Sequence, residues 1–215
     1  MKKGMQNRLR LVLIALCLIL FNQAMAQSQR FSLETVSGNR SIGQQHLFGY
    51  RNAKWEFQHF SLIDFEYAQK RNAIYFVRSS ALYKIVDGLY LQAGIGLKNP
   101  GSFHSLLGQY RHQSKRSKLS LSSGFTWQQG RSWENSLSFE LHGPSLQGWQ
   151  TFTRIFLLTN LQEQQLIRGI AQFRLGLTKG NHALGLAFNL DRFSEGRELR
   201  NTGLFYKINF IPHEN

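Results

Sequence analysis

His112-Gln113-Ser114 sets a histidine and a serine two residues apart. On an extended strand that spacing sends both side chains to one face. An imidazole beside a hydroxyl is the raw material of nucleophilic acyl transfer. The same residues also read as an interfacial histidine and a serine that starts the turn at Lys115-Arg116. Their shared face carries Leu106 and Tyr110, so it is expected to look outward. The other histidines, at 46, 59, 104, 142, 182 and 213, stand singly, with no helical His-x-x-x-His pair and no acidic cluster. Neither a metal nor another cofactor is therefore expected. The single cysteine, Cys17, excludes a disulfide framework and any multi-cysteine metal site.

A second chemistry is electrostatic. Glu56, Asp64 and Glu66 occupy even positions of one apolar-polar segment, and Arg78 and Lys84 occupy even positions of the next. Paired across a turn near Lys70-Arg71, even positions share a face. Three acids would then meet two bases, joined by Arg168, Arg174 and, on closure, Lys207. Such a network reads either as an electrostatic plug or as a polar conduit with a preference for anions. Arg111, Lys115, Arg116 and Lys118 gather at one strand end, where they suit lipid head groups or lipopolysaccharide phosphates.

The elements that would position these groups are strands. Segments at 54–67, 73–86, 88–98, 103–113, 117–128, 132–142, 148–159, 165–178, 182–192 and 201–211 alternate apolar with polar or small residues. In the last, Leu204, Tyr206, Ile208 and Phe210 interleave with Gly203, Lys207 and Asn209. Period-two patterning over roughly 9–11 residues is the length needed to cross a bilayer, longer than an ordinary globular strand. Trp55, Tyr67, Tyr75, Tyr83, Trp127, Trp133 and Trp149 mark the stripe ends, as interfacial belts do. The expected fold is all-β: a closed antiparallel up-and-down transmembrane β-barrel of about 10 strands spanning 54–211, with 8 or 12 within the error of the boundaries. A soluble exported β-sandwich or lipocalin-like barrel is the rival. Residues 27–53 alternate poorly and are expected to form a periplasmic tail or a lumen plug, although Phe31–Ser37 could be another short strand.

The chain has 215 residues, 26 Lys+Arg and 12 Asp+Glu, for a formal charge of +14. Residues 1–26 join Lys2, Lys3, Arg8 and Arg10 to the apolar run Leu11–Phe21 and the small residues Ala24 and Ala26. That order is a secretory signal peptide, cleaved after Ala26. Four bases leave with it, so 22 bases face 12 acids, a net +10. An exported chain meets no nucleic acid, and its polyanionic partner is an anionic membrane or lipopolysaccharide.

Two stretches resemble known families. Thr202–Phe210 (TGLFYKINF) is similar to the terminal β-signal of bacterial outer-membrane proteins, which implies insertion by the outer-membrane assembly machinery. Unlike that pattern, the chain continues with Ile211-Pro212-His213-Glu214-Asn215. His112-Gln113-Ser114 resembles the His-x-Ser of outer-membrane lipid A deacylases, which implies His112 as base, Ser114 as nucleophile and Glu134 as the carboxylate orienting the imidazole. It departs from that family in Lys115, where an Asn is usual, and in its mid-chain position. Asp64, Asp87 and Asp191 are too few for the paired acids of ten-stranded outer-membrane proteases. The functional expectation is a structural or accessory outer-membrane barrel, contacting head groups or envelope partner proteins. The alternatives are a lipid A- or phospholipid-modifying hydrolase and a narrow anion-preferring pore.

Overall fold

The computed structural model describes residues 29–68, 73–99 and 101–210. The expected signal peptide and cleavage point, the Lys70-Arg71-Asn72 turn and Pro100 lie outside the described residues. Twelve antiparallel strands of 10 to 15 residues close into one barrel. They are β1 Gln29–Gly38, β2 Ser41–Arg51, β3 Trp55–Glu66, β4 Ile74–Val86, β5 Leu89–Lys98 and β6 Gly101–Gln113. The other half is β7 Ser117–Trp127, β8 Arg131–His142, β9 Gln150–Gln162, β10 Gln165–Lys179, β11 His182–Phe193 and β12 Glu198–Phe210. Each strand pairs with its chain neighbours, and β1 pairs with β12. With an even strand number, the start of β1 and the end of β12 lie at the same end of the barrel.

The ten expected segments correspond to β3–β12. The expectation for 27–53 is corrected: residues 29–51 are neither tail nor plug but two wall strands. Alternation was hard to read there because the outward row of β2 interrupts Ile42 and Phe48 with Gln44 and His46.

The two faces of the wall differ as period-two patterning requires. Ile95 and Leu204 point outward and are 69% and 63% exposed, whereas Leu82 and Leu107 point inward and are 0% and 1% exposed. Aromatic side chains cap the outward rows at both ends. Trp55 packs on Tyr83 at 5.0 Å and Phe31 on Phe210 at 5.5 Å at the terminus end. Phe125 meets Trp133 edge-on at 4.7 Å at the other.

The inward face is mostly polar, with two apolar clusters set into it. One apolar cluster joins Val36, Phe152, Ala183, Ala187 and Phe205, and another joins Leu62, Phe76 and Phe103 with Phe60 against it. The β12–β1 seam is drawn tight where Gly203 faces Gly38, since a Cβ at Gly203 would run into the Ser37 carbonyl. Beside it the fully buried Asn201 ties in the β1–β2 turn. Its Oδ1 accepts from the Arg40 and Ser41 amides at 3.0 and 3.3 Å, and its Nδ2 donates to the Ser41 carbonyl at 3.1 Å.

Candidate functional site: the charged lumen

Each strand sends one row of polar residues inward, and the strands' stagger decides which charges meet. On β3 the acids sit near the two ends, and the β3–β4 register sets Phe60, not an acid, opposite Arg78. The expected β3–β4 network is therefore corrected. Its members all turn inward or to the rim, but they find partners elsewhere.

Glu56 accepts from Arg51 at 2.6 Å and from Arg111, three strands away on β6, at 2.8 Å. Asp64 and Glu66 share Arg40 of the β1–β2 turn at 3.0 and 3.1 Å. Arg78 donates across the lumen to Glu134 of β8, which also accepts from Thr126 at 3.0 Å. Arg168 forks onto Asp191 at 3.1 and 2.6 Å. Lys84 leaves the lumen and pairs at the rim with Asp87, whose exposed carboxyl is lowered by that contact.

Two centres of the network carry more base than acid. Glu34 on β1 accepts through one oxygen from Arg154 at 2.8 Å and Arg174 at 2.9 Å. Glu140 on β8 accepts from Lys118 at 3.1 Å, Lys207 at 3.0 Å and His142 at 3.1 Å. Here Arg154, Arg174, Lys118 and Lys207 share two carboxylates. Arg174, 1% exposed, also donates to the Phe173 carbonyl at 2.9 Å and to Asn189 at 2.8 Å. Desolvating each ion costs several kcal/mol, and the bonding at the Glu34 centre is incomplete: the second Glu34 oxygen and the Arg154 Nε are buried without a partner.

Glu34 and Arg40 are not singled out by the sequence, because residues 27–53 alternate poorly. The inward run Ser32, Glu34, Val36 against outward Phe31 and Leu33 was the available signal.

The head-group cluster divides along strand parity. Lys115 and Arg116 are exposed in the β6–β7 turn. Arg111 turns inward onto Glu56 and lies over the Tyr90 ring at 4.9 Å. Lys118 starts an inward row at the rim and reaches Glu140 with about half of its side chain, 54%, still exposed, so Arg111 is the member that leaves the head-group set.

The expected His112–Ser114–Glu134 trio does not assemble. His112 is exposed on the outer wall, while Glu134 is fully buried inside against Arg78. The Ser114 hydroxyl is engaged in the turn, 2.8 Å from Ser117 Oγ and accepting from the Ser117 amide at 3.0 Å.

A different imidazole–hydroxyl contact exists on the outer wall. His59 Nδ1 lies 2.9 Å from Ser79 Oγ, and the His59 ring stacks on His46 at 5.2 Å. It spans β2, β3 and β4, so no local motif announced it. It stands mid-strand, between outward Phe57 and Ile63. Bilayer acyl chains, not esters, would face it there.

No protein-family model matches the chain, and no curated relative is found. Solved structures share its fold at low identity. A membrane protein from work on in-meso crystallization is 10% identical, with a TM-score of 0.50 over 87% of this chain and 85% of its own. The NanC porin is 10% identical, with a TM-score of 0.49 over 84% of this chain and 97% of its own. An outer membrane channel from Pseudomonas putida F1 is 12% identical, with a TM-score of 0.46 over 86% and 96%. These are likenesses of architecture.

Proposed function

We propose that the chain is a bacterial outer-membrane barrel with a structural or accessory role, non-enzymatic, and with a lumen closed to free passage. The apolar outer wall supports the location. An inward row of charges and an outward row of Leu, Ile, Phe and Val is the arrangement a bilayer demands, and the reverse of a soluble barrel. The signal-peptide-like residues 1–26 and the β-signal-like strand Thr202–Phe210 agree with export and insertion by the assembly machinery. Lys115 and Arg116 in the β6–β7 turn suit head-group phosphates or an acidic envelope partner.

One observation carries the closed lumen: ion pairs join strands three and four places apart around the wall. Arg78 to Glu134, Arg154 and Arg174 to Glu34, and Lys207 to Glu140 are chords through the interior. Phe60, Phe76 and Phe156 pack among them. The test is reconstitution into planar bilayers. A silent membrane, with heat-modifiable migration showing that the barrel is folded, supports this reading.

A second reading, a narrow anion-preferring pore, is favoured by the surplus of bases around Glu34 and Glu140. Regular conductance steps with anion selectivity would establish it and remove the first.

A further inference from the structure

On the terminus side of the chord formed by Arg78 and Glu134, the lumen holds a cavity of about 280 Å³. Its walls differ in chemistry. Over β4 to β8 it is lined by Ser80, Gln92, Gln109, Ser120, Ser122 and Ser136. These side chains are already oriented: Gln92 donates to Ser80 at 2.9 Å, Gln109 donates to Ser120 at 2.8 Å, and Ser122 lies 2.6 Å from Ser136. Ser80 and Ser120 are used as acceptors, which leaves each hydroxyl hydrogen for a further partner. Facing them from β9 and β12 are Arg154 and Lys207, with Arg111 toward the terminus end. Phe60 and Phe156, 6.4 Å apart, supply an apolar side.

Two buried groups on this lining lack a partner: the Arg154 Nε donor and the Gln45 Oε1 acceptor. Arg154 is itself 7% exposed. An unmet donor on a cation and an unmet amide acceptor, both desolvated, are costly unless something else meets them. The lining is basic on its open side: Arg78, Arg111, Arg154 and Lys207 line it with one carboxylate, Glu140. Arg78, Arg111 and Arg154 have counter-ions behind the lining in Glu134, Glu56 and Glu34, but Arg154 shares Glu34 with Arg174, and Lys207 shares Glu140 with Lys118.

We propose that this cavity is a binding site for a small organic anion with a hydroxylated body. The anionic head lies between Arg154 and Lys207, and the hydroxyls exchange hydrogen bonds with the serine–glutamine wall. The size fits: the cavity equals roughly nine waters at about 30 Å³ each, the room of a six-carbon solute. The guanidinium fork of Arg154 takes a carboxylate or a phosphate equally well, so the shared chemistry is an oxyanion on a polyol.

The test is calorimetric titration of the detergent-folded barrel with four probes. Gluconate and glucose 6-phosphate carry both features. Sorbitol lacks the charge, and hexanoate lacks the hydroxyls. At least one of the first two is expected to bind about tenfold or more tightly than either control, and the better of them identifies the head group. Sorbitol matching them overturns the role of the cations, hexanoate matching them overturns that of the hydroxyl wall, and no heat with any probe overturns the site. In Arg154→Lys, which keeps the charge and loses the fork, binding is expected to weaken by about tenfold. Unchanged binding overturns the assignment of the head. Should that variant lose heat-modifiable migration, Gln45→Leu serves instead, with a similar weakening expected and unchanged affinity again counting against the site.

Discussion

Arg78 on β4 donates to Glu134 on β8, a fully buried carboxylate four strands away around the wall. This contact roofs the polar cavity and takes from the outer wall the acid that a hydrolase would need. If it also closes the lumen, removing both partners should open a path. Arg78→Ala with Glu134→Ala is expected to give conductance steps in planar bilayers where the parent chain is silent. A silent double variant, folded by gel shift, would place the closure elsewhere.

Glu34 is the sole anionic partner of both Arg154 and Arg174 among the described contacts. Its replacement by Gln leaves two buried guanidiniums short of a counter-charge. A loss of about 3–5 kcal/mol is expected in urea unfolding from lipid vesicles. A change below about 1 kcal/mol would mean that water already screens this centre.

Leu204 points outward near mid-height of β12 and is 63% exposed. Facing lipid, Leu204→Arg should cost about 2–4 kcal/mol. On a water-facing wall the same change would be neutral and would improve solubility without detergent. The sign of this one substitution separates a membrane barrel from a soluble one.

Gly203 faces Gly38 across the closing seam, where an added side chain meets the Ser37 backbone. Gly203→Val is expected to block closure of β12 on β1, seen as loss of the compact, heat-modifiable band. Gly108, whose Cβ position lies an ordinary 3.8 Å from the Ser123 carbonyl, offers the control: Gly108→Ala should fold normally.

Asn201 meets three backbone groups of the β1–β2 turn from inside the wall. Asn201→Leu should therefore cost about 1–3 kcal/mol through the amides and carbonyl it orphans. Urea midpoints compared with the parent chain would measure it, and an unchanged midpoint would show that the turn is held by its strands alone.

Strand identity was legible residue by residue because a side chain's face depends only on its own position in an extended chain. Leu204, Tyr206, Ile208 and Phe210 against Gly203, Phe205 and Lys207 needed no distant partner to be sorted into two faces, and the structure keeps that sorting. Where the outward row itself is mixed, as with Gln44 and His46 in β2, the local signal fails: β2 carries no readable pattern, and β1 shows only as a short stretch at Phe31–Ser37. Which inward charges meet is a different kind of question. It depends on strand count, stagger and closure, and these relate residues as distant as Glu34 and Arg174 or Arg78 and Glu134. The alternation alone established a two-faced β chain with basic residues on its polar side. Only the closed barrel decided that Arg111 faces Glu56 rather than a lipid head group, and that Glu134 lies walled off from His112, because a shear of the ladder moves every partner at once while leaving each strand's own pattern unchanged.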